Sequence, residues 1–415
     1  MVKKRVVIVG AGAAGLLAAG FAAQRGASVL VIEKTKRSAQ KVRISGKGRC
    51  NITNGIPISD FPSHYPGNGR FLYGALHRFS NRDCMDFFAG LGVELKIERG
   101  QRVFPCSDDA EQVANSLERF ARQCGAELLF EHRVVELKCN SEGTIAGVIT
   151  ESSRGKTRFE ADSVVVAAGG MSYPGTGSSG DGYRLAQMIG HTIVKPRPAL
   201  VPLRTKESWV KEAAGLSLRN VTITFTNGSE RISEFGEMMF THFGITGPTV
   251  LTASEQVGVW LENGSCEVKA SIDLKPALDD EQLDKRLIRD LQKYSRKQFS
   301  NSLNDLYPRS LIPIIVQLSG IPADKPTNQL TRNERFILGR LTKNLPQTII
   351  GTLPLTAAIV TAGGVELTEV DPKTMESKLI KGLFFAGEVL NIHGVTGGFN
   401  LQAAFSTGYC AAQSV

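Results

Sequence analysis

Gly10, Gly12 and Gly15 stand at a spacing that lets a backbone wrap a pyrophosphate. The run Arg5–Val9 before them has the apolar pattern of a buried strand, and an apolar helical stretch follows from about Ala13. In such a strand–turn–helix unit the first glycine permits the tight turn. The second lets the backbone approach the phosphates, and the third lets helix and strand lie close. The helix start at Ala13 and Ala14 would aim free N–H groups and a positive dipole end at the anion. A second apolar run, Ser28–Ile32, ends at Glu33, placed to accept hydrogen bonds from a ribose and to repel a 2′-phosphate.

A second group of chemistry-bearing residues lies at the far end. The apolar run Leu383–Ala386 breaks into Gly387 and Glu388, and Gly397, Gly398, Phe399, Asn400 and Leu401 open a helical pattern reaching the C-terminus. An acid after such a strand can hold a ribityl hydroxyl. A glycine-rich helix start can face the N1–C2=O edge of a flavin ring, which becomes negative on reduction. The first group suits an adenosine diphosphate and the second a flavin, so together they point to FAD.

Two further glycine-rich segments belong to the same reading. Lys41, Ser45, Gly46, Gly48, Arg49, Cys50 and Asn51 follow the second strand, with Lys34 just before them. They are expected to run along the pyrophosphate, with side-chain donors toward phosphate or ring oxygens; an ordinary glycine-rich loop is the bland alternative. Ala168, Gly169 and Gly170 end another buried run, with Tyr173 a candidate pocket wall and Asp181 suited to cap a helix. Val134, at the start of a hairpin pattern, completes the expected cofactor contacts. Candidates for chemistry are Cys50, whose pKa Arg49 would lower, and the histidines His242 and His393 as acid or base. A pocket bounded by the Cys50 loop, Thr241–Pro248 and Asn391–Asn400 is the expected place for a small-molecule substrate. No histidine falls within residues 41–50 to carry a covalent flavin.

These elements need a scaffold. At 415 residues the chain should form two or three domains. Alternating strand and helix patterns fill the first 190 residues, including helices at Asn81–Leu91 and Asp108–Cys124. Prolines and short β-rich runs follow, then helical spacing at Leu283, Leu287 and Leu291. The expected fold is α/β. A Rossmann-like two-part FAD-binding domain (1–194 and 365–415) carries an inserted β-barrel domain (195–277 and 345–364) with a nested helical subdomain (278–344).

Composition narrows the function classes. Apolar residues make up 42% and charged residues 21% of the chain, as in soluble globular proteins. The start does resemble a signal peptide, but three glycines interrupt its apolar stretch and Glu33 closes the unit. No membrane span is expected. The seven cysteines show neither CxxC nor regular spacing, which suggests reduced thiols in cytoplasm. The net charge of +9 raises nucleic acid as a partner, yet the basic residues are dispersed and cluster mainly near the pyrophosphate segments.

The chain also resembles the HI0933-like bacterial flavoproteins, often described as NAD(P)/FAD-dependent or aminoacetone-oxidase-family proteins. The resemblance rests on Gly10–Gly15, Gly46–Asn54, Gly169–Pro174, Thr241–Pro248, Thr361–Val365 and Gly382–Leu401. It implies the three-part architecture above, and substrates attached to members include amines and steroid-like ketones. Where the family usually has an Asp-x-Asp-like stretch, this chain has Asn391, Ile392 and His393. The resulting expectation is a hydride-transferring oxidoreductase with non-covalent FAD. A single dinucleotide fingerprint leaves NAD(P)H only a transient visit at the flavin face as electron donor, or else oxygen as the acceptor. The alternatives are a flavin-dependent RNA-modifying protein and a non-catalytic redox-sensing flavoprotein. The sequence does not settle the oligomeric state.

Overall fold

The computed structural model describes residues 3–264 and 267–415. The chain forms two compact units, one of residues 1–199 with 355–415 and the other of residues 200–354.

The first unit is built on a five-stranded parallel sheet in the order Leu383–Phe385, Ser163–Val166, Arg5–Val9, Ser28–Ile32, Glu127–Leu129. All four residues of the Ser163–Val166 strand are buried, as a parallel strand covered on both faces requires. The helix Ala13–Gln24 is almost wholly apolar, and it and the helix Phe399–Ser414 are rich in alanine and glycine. Gly15 shows why: a Cβ there would overlap the Gly10 carbonyl, and Gly408 likewise approaches Ala14 O. These two helices, from the two ends of the chain, are thus packed against each other.

Beside a small antiparallel sheet of Thr53–Asn54, Arg102–Pro105 and Leu95–Glu98, the unit has two further antiparallel sheets. One has three strands, Arg133–Cys139, Ile145–Ser152 and Gly155–Glu160. The other is a ribbon of Ile193–Ala199 with Val360–Val365. This ribbon corrects the expected boundaries. Residues 360–364, expected in the barrel, pair instead with a strand of the first unit. A period-two pattern identifies a strand but not its partner.

A buried network fastens the excursion before the last strand. His191 Nδ1 donates to Glu369 Oε2 (2.9 Å), and its Nε2 accepts from Ser377 Oγ (2.8 Å). The order Ser–His–acid resembles a hydrolytic triad. Here, however, Ser377 is 6% exposed and its oxygen also accepts the amides of Leu379 and Ile380. The arrangement is a clamp. Burial lowers the His191 pKa, and Glu369 only partly offsets that. Because the folded pKa lies below the unfolded one, the unfolded chain takes up the proton first. Stability should therefore fall as pH drops below about 6.5. We expect thermal midpoints measured between about pH 7 and pH 5 to decline more steeply in the wild type than in His191→Gln.

The second unit contains a closed barrel of Leu203–Thr205, Gly244–Thr246, Glu230–Thr241, Ser217–Asn227, Val268–Asp273 and Leu345–Thr352. The helix Pro248–Glu262 buries Val250, Ala253, Val257 and Trp260. The helices Asp280–Lys293, Ile312–Ser319 and Arg332–Lys343 follow the barrel strand Val268–Asp273, and Leu283 and Leu287 point into the core. The sequence pattern predicts a β-rich run over Cys266–Ile272, and its start at Cys266 lies outside the described residues.

Candidate functional site

The turn after the first strand is open where a phosphate would have to sit. Gly12 precedes the helix Ala13–Gln24, and no side chain caps that helix. A Cβ built on Gly12 would meet nothing within 4 Å, unlike one on Gly15. Uncapped amides beside open space make an anion site. Glu33 borders it. Its Oε2 accepts the Ala11 amide (2.9 Å) and its Oε1 the Thr35 amide (2.8 Å). Each oxygen keeps a lone pair for a ribose hydroxyl. The residues present therefore fit an adenosine diphosphate. Val134 is buried in its strand, across from Thr150.

Lys34 is engaged elsewhere. Its Nζ binds Asp181 Oδ2 at 2.7 Å, and Arg133 Nη2 reaches Asp181 Oδ1 at 2.6 Å. Burial would raise the Asp181 pKa, but these two cations outweigh it and hold the carboxyl at about 2. Asp181 is thus not the expected helix cap. Gly180 takes that position with a left-handed φ of 78°, and Asp181 joins the sheet-side loops by charge.

The segment after the second strand is more ordered than a loop. Residues Gln40–Ile44 are helical, and the chain then turns through left-handed Gly46 and Lys47. Its polar side chains mostly serve the protein. Ser45 Oγ donates to Val42 O. Arg49 pairs with Glu98 and Asp108 and lies over the Phe104 ring. With its amide oriented to satisfy its neighbours, Asn51 donates to Val103 O and Thr53 O and accepts from Gly398 N (3.0 Å). Asn54 Nδ2 donates to Gly397 O at 2.9 Å. A Cβ on Gly398 would overlap Thr53. Arg49 and Asn51, expected beside the phosphates, have their side chains engaged by the protein. They hold the start of the helix Phe399–Ser414, whose N-terminus no side chain caps.

Cys50 is corrected as well. It is fully buried, and burial pushes its thiol up to about 12 while Ser45 only partly opposes this. Arg49 faces acids instead of sulfur. We expect Cys50 to resist iodoacetamide in the native protein at neutral pH and to react only after unfolding. Labelling traced by mass spectrometry checks this.

Lys41 and Glu388 meet across the sheet's carboxyl end. Lys41 Nζ binds Glu388 Oε2 (2.8 Å) and Ser172 Oγ (2.7 Å). Glu388 also accepts from Thr361 N (2.9 Å), Ser172 Oγ (3.2 Å) and Gly170 N (3.4 Å). Thr361 Oγ1 in turn accepts the amides of Met171 and Ser172. A carboxylate has about four lone-pair sites, and these partners occupy them. The expected ribityl role of Glu388 thus gives way to a central tie between four segments. Ser172 and Thr361 belong to this centre, and the sequence reading missed both roles.

The last helix start is covered by a strap from residues 58–72. His64 stacks on Phe399 (4.3 Å between ring centres), Tyr65 Oη donates to Phe399 O, and Asn68 Nδ2 donates to Asn391 O. Asn400 closes its own loop through Gly394 N and O, and Leu401 is half-buried in the first helical turn. His393 is 7% exposed. His242 belongs to the second unit, exposed at a hairpin turn with its ring edge-on to Phe243 (4.9 Å). Among the described residues no cluster of three or more His, Cys, Asp or Glu could hold a metal, and no helix is long and apolar enough to cross a membrane.

A model of the HI0933-like protein Rossmann domain matches residues 4–414. The chain belongs to the HI0933-like family. A 3-dehydro-bile acid delta(4,6)-reductase of Clostridium scindens is 33% identical over 412 residues, covering 99% of this chain and 98% of the reductase. A ribosomal RNA dihydrouridine synthase of Haemophilus influenzae is 32% identical over 413 residues, covering 99% and 98%. Among solved structures, a 3-ketosteroid delta1-dehydrogenase of Sterolibacterium denitrificans matches with a TM-score of 0.53 at 15% identity, covering 98% of each chain. At that identity it shows a shared fold. This HI0933-like protein is a flavoprotein oxidoreductase.

Proposed function

We propose that this protein is an FAD-dependent reductase that saturates a carbon–carbon double bond conjugated to a carbonyl. The observation that carries the reading is a chemistry shared by relatives that differ in substrate size. A delta(4,6)-reductase acting on a 3-dehydro-bile acid and a dihydrouridine synthase both saturate a ring double bond in conjugation with a carbonyl. The matches span nearly the whole of each chain. Bound reduced FAD would supply a hydride to the electron-poor carbon.

The chain's own residues have definite tasks in this reading. The open turn at Gly12 and the amides of Ala13, Ala14 and Gly15 hold the pyrophosphate, and Glu33 holds the ribose. The uncapped start of Phe399–Ser414 would lie toward the flavin ring and would favour the negative charge of its reduced form. The Lys41–Glu388 tie fixes the segments between these two ends. NAD(P)H serves as a transient electron donor, since the sequence carries one dinucleotide fingerprint.

A second reading places the reduced ring within RNA. Two observations favour it, the 32% identical RNA-modifying relative and the net charge of +9. Exposed Arg296, Arg309, Arg332 and Arg340 add a basic surface to the helical part. Salt-sensitive RNA retention would mark this reading. The test of the main reading is anaerobic. The holoprotein is reduced with NADPH and offered small cyclic enones and uridine-containing RNA. Saturated product is expected from at least one class, and product from neither would reject the proposal.

A further inference from the structure

Arginines that are partly buried in this protein often meet a carboxylate. Arg43, Arg133, Arg286 and Arg335 each do so. Arg197 is the exception that matters. Its side chain is half-buried, its Nε is enclosed without an acceptor, and no ion pair or side-chain hydrogen bond engages it among the described residues. Burying a guanidinium N–H without an acceptor is costly, so native structures rarely leave one so.

The backbone around Arg197 is rigid. Pro196 and Pro198 flank it, which fixes their own φ angles and confines the residues before them to extended conformations. The ribbon's register shifts between Val194 and Arg197, a bulge of the kind that re-aims side chains beside active sites. Arg197 pairs with Ala362, next to Thr361, whose amide holds Glu388. A cation without a partner among the described residues is thus carried on a stiff backbone that pairs one residue from the tie that orders the proposed flavin site.

The geometry points to Arg197 as the anchor for the substrate's carbonyl oxygen. This rests on the enone-reductase reading. Hydride from reduced flavin adds to the β-carbon, and the double-bond electrons move through the α-carbon onto that oxygen. The resulting enolate charge sits against the guanidinium. A solvent-derived proton then reaches the α-carbon as the carbonyl re-forms. The substrate gains two electrons and two hydrogens, the flavin loses two electrons, and NAD(P)H restores them. A guanidinium is always charged and presents fixed donors, so it stabilises the oxygen as charge develops.

The test uses full-length, FAD-loaded protein and 4-nitrophenolate as an unreactive mimic of the enolate. Binding is read from perturbation of the flavin spectrum. We expect Arg197→Met to weaken phenolate binding by about ten- to a hundredfold, the worth of a charge-assisted hydrogen bond, and Arg197→Lys to recover part of it. Flavin content should stay at the wild-type level, and the thermal midpoint of Arg197→Met should be no lower than that of the wild type. Unchanged phenolate affinity in Arg197→Met would overturn the proposal, as would failure of the wild-type holoprotein to bind phenolate. Loss of flavin or a lowered midpoint would assign Arg197 to the cofactor or to the fold, and would also overturn it. Enone turnover by the wild type is scored separately. Absent turnover with Arg197-dependent phenolate binding would reject the reductase reading, and with it the enone as the anchored molecule, while leaving Arg197 as an oxyanion site.

Discussion

Gly12→Val should yield a folded, colourless protein. The added side chain enters space where no protein atom lies within 4 Å of the first carbon. The backbone there is extended (φ −85°, ψ −168°), which valine accepts. The fold therefore loses nothing, while the space a pyrophosphate needs is filled. We expect FAD affinity to fall by on the order of a hundredfold or more, roughly 2.7 kcal/mol. The circular dichroism spectrum and the midpoint of the flavin-stripped protein should match those of stripped wild type. Gly15→Val is the contrast. Its Cβ would overlap the Gly10 carbonyl, so that variant should fail to fold. A Gly12→Val protein that keeps stoichiometric FAD would remove the cofactor from this turn.

Lys41→Met should give the other large effect. It leaves the Glu388 carboxylate, 19% exposed, without its cation. Breaking a fully buried pair costs about 3–5 kcal/mol, and partial exposure of this pair reduces that to about 1–3 kcal/mol. Because Glu388 also ties Gly170, Ser172 and Thr361, flavin retention should fall together with stability. Glu388→Gln in the same protein should recover part of the loss, because an amide needs no counter-ion. A double-mutant cycle in denaturant measures the coupling. Additive effects of the two substitutions would mean that the pair is incidental.

The two ends of the site were legible because their signals are local. Glycines at Gly10, Gly12 and Gly15, an apolar run on either side and Glu33 at the next strand's end leave little choice of unit. Burial of both faces also made the parallel strands readable as unbroken apolar runs. The centre was less legible. Lys41, Ser172, Thr361 and Glu388 come together only through the pairing of strands far apart in sequence, and no spacing announces it. Arg49 was misread for the same reason, since its acids Glu98 and Asp108 arrive from later elements. Cys50 looked reactive beside an arginine, but its left-handed backbone (φ 60°) belongs to a buried side chain. Asp181 lost the capping role to Gly180 once two cations had claimed its carboxylate. Arg197 carried no motif at all. Only the absence of a partner in three dimensions distinguishes it.

The central claim is that electrons pass from flavin held in this site to a conjugated carbon–carbon double bond. The most direct measurement mixes the fully reduced holoprotein with cyclic enones and uridine-containing RNA, separately and without oxygen, and follows flavin absorbance alongside product mass. The account predicts that with one substrate class the oxidised flavin spectrum returns, with one saturated product formed per flavin. Flavin that stays reduced with both classes, or reoxidises without saturated product, would contradict it.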